Sequence, residues 1–243
     1  MGCYAGGLTV TALYADFLGG GYFISRIDAG PAGGWPQALL TDGLLILVFG
    51  LQHSLMARNG FKRWLRQVIP PRLERSTYVG GTAAALGLII WGWQPLPELI
   101  FDLEGTLGRG LWAMYGAGWL VCLLNTFFID HFDLLGLRQA FFYGRGETDG
   151  LATFRTPALH KIIRHPIYLG WLLIHWCTPH LTMGRALLAA SMTLYLFIGM
   201  HYEEEDLVEE FGEEYQSYRR RTPRIIPFFF KPTNETEDER IAA

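Results

Sequence analysis

Four groups of residues have the types and spacing to do chemistry. Arg164-His165-Pro166-Ile167-Tyr168-Leu169-Gly170 sets a cation and an imidazole just ahead of a proline. Proline is favoured in the first helical turn, where its missing N–H costs nothing. A helix is therefore expected to start at Pro166, with His165 near its N-cap. The free N–H groups of such a start, with Arg164 beside them, suit a carboxylate or phosphate. The plainer reading is that both residues mark a membrane interface. Glu203-Glu204 is followed by Leu207, Phe211-Gly212, Tyr215 and Tyr218. Paired carboxylates below an apolar stretch suit a ligand with hydroxyls or positive charge, such as a ribose diol or a sulfonium. Glu205, Asp206, Glu209 and Glu210 nearby favour a solvated acidic helix instead. Asp130, His131 and Asp133 lie just after an apolar run, where ionisable groups are functional candidates. A histidine oriented by a neighbouring carboxylate can act as a general base. Gln52-His53-Ser54 falls inside another apolar run, a costly place for polar groups unless they face a partner or cavity. One helix–helix hydrogen bond would also explain His53. His175 and His180 read as structural.

The elements that must position these residues are membrane helices. Half of the 243 residues are hydrophobic and 18% are charged, below the roughly 25% of a soluble domain. Long apolar runs alternate with short charged loops. A helix needs about 20 apolar residues to cross a bilayer, and six stretches qualify or come close: 3–24, 38–56, 78–93, 111–129, 167–181 and 186–200. The first holds Asp16 and many glycines but no basic leader or cleavage site, so it reads as a retained helix. The last two are short and are expected to form a helical hairpin, turning at Thr182-Met183-Gly184-Arg185. The fold class is therefore all-α integral membrane, with five to six transmembrane helices. The loop holding Arg58, Lys62, Arg63, Arg66, Arg72 and Arg75 marks the cytosolic side. The loop with Glu98, Asp102 and Glu104 is expected outside. Residues 130–166 and 202–227 then form a cytosolic helical region. Phe211, Tyr215 and Tyr218, at i, i+4 and i+7, make one apolar stripe on a helix. Residues 1–230 read as a single domain and 231–243 as a disordered tail. Cys3, Cys122 and Cys177 are far apart and form no disulfide framework or metal spacing. No HExxH, CxxC or P-loop is present, and no metal or nucleic acid is expected.

The order Arg164-His165-Pro166-x-Tyr168-x-Gly170, Glu203-Glu204-x-x-Leu207, Phe211-Gly212-x-x-Tyr215-x-x-Tyr218 and Pro223-x-x-x-Pro227 resembles the isoprenylcysteine carboxyl methyltransferase-like membrane superfamily. A narrower resemblance runs from about Ile27 to Pro227, to the bacterial methanethiol S-methyltransferases, which are related to the NnrU-like proteins. It is carried by Gln52-His53-Ser54-Leu55-Met56-Ala57-Arg58, Glu74-Arg75-Ser76-Thr77-Tyr78, the run from Asn125 to Leu134, Gly136-Leu137-Arg138-Gln139 and Phe154-Arg155-Thr156-Pro157.

The resemblance implies transfer of a methyl group from S-adenosylmethionine to methanethiol, leaving S-adenosylhomocysteine and dimethyl sulfide. It implies a bacterial inner-membrane enzyme whose site faces the cytosol, with the lipid bilayer and a small volatile thiol as its partners. The expected cofactor contacts are His160, Arg164, His165, Pro166, Tyr168, Gly170, Glu203 and Glu204. Arg164 and His165 would meet a carboxylate or adenine edge, and Glu204 the ribose hydroxyls. Arg219 is a further cytosolic contact. His53 and His131 are the candidate bases, with Asp130 or Asp133 orienting the ring. Tyr78, Asp133 and Arg138 would line a small thiol pocket between the second span and residues 130–139. Three alternatives stay open: an isoprenylcysteine-type carboxyl methyltransferase, a sterol-reductase-like NADPH enzyme using Arg219-Arg220-Arg221, and a non-enzymatic NnrU-like membrane protein.

Overall fold

The computed structural model describes residues 1–30, 34–138, 154 and 156–226. Gly33, Gln139, Arg155, Pro227 and the tail expected to be disordered lie outside the described residues. The chain is mostly helical. In order it forms α1 (Gly2–Leu18), α2 (Trp35–Ala57), α3 (Asn59–Val68), a 3-10 turn (Pro71–Leu73) and α4 (Glu74–Gly92). Strand β1 (Leu99–Asp102), α5 (Gly105–Ile129) and α6 (His131–Leu134) follow. A second 3-10 turn (Ala158–Lys161) leads into α7 (Pro166–Trp176), β2 (His180–Thr182), α8 (Met183–Phe211) and α9 (Glu213–Arg221).

Three helices, α2, α5 and α8, are long and apolar enough to cross a membrane. The outer face of α2 explains its environment. Leu40, Leu44, Leu47, Leu51 and Leu55 recur at helical spacing and are all exposed. Such a stripe is a liability in water and the expected surface in lipid. Inside, α1 and α2 pack on α4, α7 packs on α5, and α8 packs on α7 and α2. Tyr14, Phe17, Ile89, Ile174, Leu188 and Met192 meet in one buried cluster. The α5–α7 crossing is close because glycines face each other. A Cβ at Gly170 would lie 2.8 Å from the Gly118 carbonyl oxygen and 2.5 Å from Cys122 Sγ. Small residues at such contacts let membrane helices approach.

Four details differ from the sequence expectation. Helix α1 stops at Leu18, because the Asp16 carboxylate accepts the N–H groups of Tyr22, Phe23 and Ile24 at 2.8–3.0 Å and folds the chain back. The expected turn at 182–185 is mostly helix: Thr182 is the N-cap of α8, accepting from the Arg185 N–H at 3.3 Å. Arg185 is held in place by Asp28 at 2.7 Å and the Leu18 carbonyl at 2.7 Å. The hairpin's first arm, α7, has 11 residues, roughly 16 Å of helix and too short to cross alone. Two short strands also stand beside the helices. Leu99–Asp102 follows Pro95 and Pro97, which disfavour helix, and its backbone pairs antiparallel with His180–Thr182.

Helix α8 does not end where its apolar stretch does at Met200. It continues through Glu203 and Glu204 to Phe211. Gly212, at φ 55°, breaks it before α9, so the Phe211–Tyr215–Tyr218 stripe spans two helices rather than one. Phe154 bridges the break, with ring centroids 5.4, 5.7 and 5.3 Å from those three.

Candidate functional site

One end of the bundle gathers nearly all the singled-out residues. The Arg75 Nε donates to the Leu134 carbonyl at 2.7 Å, and Ser76 to the Gly136 carbonyl at 3.2 Å, tying the turn after α5 to the start of α4. Arg58, at the end of α2, reaches Asp206 of α8 at 3.6 Å.

At this end α7 begins as expected, with His165 as N-cap and Pro166 buried in its first turn. The backbone just before it is clamped: the Arg164 N–H donates to the Pro223 carbonyl at 2.8 Å, and the His165 N–H to the Arg224 carbonyl at 3.0 Å. The Glu204 carboxylate, 2% exposed, sits behind this clamp. Its Oε1 accepts from Arg164 Nε at 2.8 Å, Arg164 Nη2 at 2.7 Å and His165 Nε2 at 3.1 Å. Its Oε2 accepts from Arg224 Nε at 3.1 Å and Nη2 at 2.7 Å. Arg164 Nη1 donates to the carbonyls of Arg219, at 2.8 Å, and Thr222. Burial by itself would raise the Glu204 carboxyl. The hydrogen bonds from His165 and Arg164, the Arg164 charge and the Arg224 hydrogen bond outweigh it and hold the group at about 2. An ionised carboxylate only accepts, so His165 Nε2 carries the proton here.

The roles expected for these residues separate. Every donor nitrogen of Arg164 and both oxygens of Glu204 are occupied by protein. Together they form a frame that joins α7, α8, α9 and the segment after it. Glu203 is the outward-facing member of the pair, its side chain 48% exposed. It accepts from the Tyr168 hydroxyl at 2.5 Å and lies 3.6 Å from His165 Nδ1. The His165 and Tyr168 rings stack, 5.2 Å apart and 9° from parallel. His160 flanks this face. Its carbonyl accepts from Tyr218 at 2.5 Å and its Nδ1 lies 3.3 Å from the Pro157 carbonyl. Burial pushes its imidazole below the ordinary histidine range. Gly170 stands apart, in the α5–α7 crossing.

His53 and Tyr78 do meet. The Tyr78 hydroxyl lies 2.7 Å from His53 Nε2, with Thr82 Oγ1 3.3 Å from Nδ1. Phe49 stacks on the imidazole at 5.7 Å, Tyr195 of α8 stands edge-on at 6.2 Å, and the Arg75 guanidinium lies 5.2 Å from the Tyr78 ring centre. The Tyr195 hydroxyl lies 3.1 Å from the Oγ of Ser54, the residue after His53.

His131 belongs to a different group. Its Nδ1 is 2.8 Å from Thr126 Oγ1 and its Nε2 3.1 Å from the Tyr4 hydroxyl, and Phe127 stacks on it at 4.3 Å. The Asp130 carboxylate pairs with Arg138 at 2.5 Å and caps the Asp133 N–H at 3.1 Å. Its contacts are thus on the rim of the turn rather than on the imidazole. Sequence reasoning missed Arg224, Tyr195 and Thr82. Asn125 is fully buried, and neither amide atom has a hydrogen-bond partner among the described residues. Arg224 had one available signal: it lies between the two prolines of a motif already singled out.

No protein-family model matches the chain, and no solved structure matches it. Named relatives do. The chain is 42% identical over 233 residues to methanethiol S-methyltransferase 2 of Bradyrhizobium diazoefficiens, covering 96% of this chain and 90% of that protein. It is 44% identical over 202 residues to methanethiol S-methyltransferase of Pseudomonas deceptionensis, covering 83% and 77%. It is also 33% identical over 174 residues to nurim of Sus scrofa, covering 68% and 66%.

Proposed function

The chain belongs to the methanethiol S-methyltransferase family, and we propose that it methylates methanethiol to dimethyl sulfide with S-adenosylmethionine at the cytosolic face of a bacterial inner membrane. The observation that carries this reading is similarity over nearly the whole chain to proteins named for that activity, the stretches around His53 and His131 included. The Arg- and Lys-rich loop between α2 and α4 supports that orientation through the positive-inside bias.

The exposed side of the frame suits the methyl donor. When bound, S-adenosylmethionine supplies a methyl group on a positively charged sulfur. Glu203 offers a carboxylate to its hydroxyls or cationic groups, and the stacked His165–Tyr168 pair offers an aromatic face to a cation. Arg164, Glu204 and Arg224 hold that face without touching the ligand. The acceptor must present its sulfur as a thiolate, and small thiols are mostly protonated at neutral pH. His53 takes the thiol proton, and the Tyr78 hydroxyl fixes its ring. The donor would supply the methyl group as its carbon–sulfonium bond breaks and the thiolate sulfur bonds to that carbon, so the residues' task is positioning, which can contribute about 7–11 kcal/mol. His131, Asp130, Asp133 and Arg138 shape the adjoining turn.

The test is headspace gas chromatography on purified protein given S-adenosylmethionine and methanethiol, with His53→Ala and His131→Ala beside the parent. Dimethyl sulfide from the parent and His131→Ala, with a loss of about 100-fold or more in His53→Ala, is the expected pattern. The reverse pattern moves the base to His131. Cofactor binding without product means another acceptor, and neither binding nor product removes the methyltransferase reading.

A further inference from the structure

Helix α3 is the short link between α2 and α4, the two helices whose His53 and Tyr78 meet. Arg58, in an extended conformation at φ −73° and ψ 139°, breaks the chain direction at the end of α2. The ten residues Asn59–Val68 therefore form a separate helix at the mouth of the bundle. Phe61, Trp64, Leu65 and Val68 fall at i, i+3, i+4 and i+7 and make one apolar stripe. Only part of that stripe is used by the protein. Leu65 is buried, whereas Trp64 is 54% and Val68 65% exposed. Lys62, Arg63 and Arg66 occupy the opposite face, and Arg72 follows in the 3-10 turn. Arg66 pairs with Glu74 at 2.5 Å. Lys62, Arg63 and Arg72 have no ion-pair partner among the described residues.

We propose that α3 and the turn after it form a docking surface for the anionic phospholipid headgroups of the membrane that holds the chain. An exposed tryptophan and valine beside three uncompensated cations match the chemistry of a helix lying in the interface, with apolar side chains among acyl carbons and cations among phosphates. The charge selects the occupant. Neutral lipid would bury Trp64 and Val68 equally well but offers Lys62, Arg63 and Arg72 phosphates already balanced by their own cations, with no net negative charge. An anionic surface satisfies both halves of the helix. Through α3, such lipid braces the spacing of α2 and α4, and so of His53 and Tyr78. The inference rests on the cytosol-facing orientation proposed above only for which leaflet is met. Reconstitution with both leaflets alike tests it independently of orientation and of methyl transfer.

The experiment places the full chain in nanodiscs containing dibrominated phosphatidylglycerol or, at equal mole fraction, dibrominated phosphatidylcholine. Trp64 quenching is read as the difference between the parent and Trp64→Phe. A surface cation contributes about a fivefold preference for anionic lipid before screening by salt. A severalfold excess of quenching by the anionic lipid is therefore expected, falling to near one in Lys62→Gln/Arg63→Gln/Arg72→Gln. If that variant does not purify, Arg63→Gln and Arg72→Gln singly should each lower the preference. Equal quenching by the two lipids in the parent overturns the proposal, as does a preference that survives loss of the cations. Millimolar inorganic phosphate, compared with chloride at equal ionic strength, should leave the preference intact. Its specific loss in phosphate would mean a soluble-anion site and would overturn the lipid surface.

Discussion

Glu204→Gln removes one negative charge while leaving the side chain's shape nearly unchanged. In the folded protein that charge lies between two guanidiniums and an imidazole. Breaking a buried ion pair by removing one partner costs about 3–5 kcal/mol. Two features of this site move the expectation toward the lower end. Arg224 is half exposed and can be rehydrated, and Arg164 keeps the Arg219 and Thr222 carbonyls as acceptors. A loss of about 3 kcal/mol corresponds to roughly 6–12 °C in melting temperature for a chain of this size. The assay is thermal unfolding by tryptophan fluorescence in detergent, paired with calorimetric titration of S-adenosylhomocysteine. Glu203→Gln is the comparison, because its carboxylate is half exposed and accepts one hydrogen bond from Tyr168. It should lower ligand affinity while shifting the melting temperature by no more than about the 2–4 °C that 1 kcal/mol gives. The reasoning fails if Glu204→Gln melts with the parent yet loses the ligand. Glu204 would then be a direct contact and not part of the frame.

The same carboxylate sets an acid limit. Its folded value of about 2 lies below the ordinary 4.5, so its stabilisation is complete above that ordinary value and is lost as pH falls from there toward 2. The parent's melting temperature should drop in that window, and Glu204→Gln should flatten this part of the profile. Gly170→Ala should cost about 1–3 kcal/mol by overpacking, since its new Cβ meets backbone at Gly118 as well as Cys122 Sγ. Gly60→Ala, whose Cβ enters open space on α3, should gain up to about 1 kcal/mol, and both are read as melting temperatures. Asn125→Leu should stabilise the protein by about 1–3 kcal/mol, because the amide it removes is buried with no partner among the described residues. A melting temperature below the parent's would show that the amide is bonded in solution.

The sequence carried the helix start at Pro166, because proline's missing N–H is a local property that tertiary packing did not need to override. It also carried the meeting of His53 with α4, since a polar triplet in an apolar run needs a partner. The end of α1 was less visible. Asp16 reads as a flaw in a span until its carboxylate is seen gathering three N–H groups from a turn that follows it. The strands at Leu99–Asp102 and His180–Thr182 were also hidden, since three or four residues hold too little periodicity to register. Asp130 looked like an imidazole orienter because it adjoins His131 in sequence. Its partner is instead Arg138, eight residues on, because the cap at Asp130 turns the carboxylate toward the Asp133 N–H and away from the ring.

The adjacent carboxylates show how a motif can hide two jobs. Read as sequence, Glu203 and Glu204 are equivalent, and a helix ending at Met200 would leave both in solvent. Because α8 runs on to Phe211, consecutive residues point about 100° apart around its axis. One faces the start of α7 and the segment after α9; the other faces Tyr168 and the open side. Glu204 therefore acquires cations that cannot leave, and Glu203 acquires a hydroxyl on a surface that a ligand can reach. Tyr168, the partner of Glu203, is on α7, and Tyr195, beside His53, is on the same α8 that carries Glu203. In the proposed reaction a donor bound at Glu203 would be held by the buried frame, which fixes α7 and with it Tyr168.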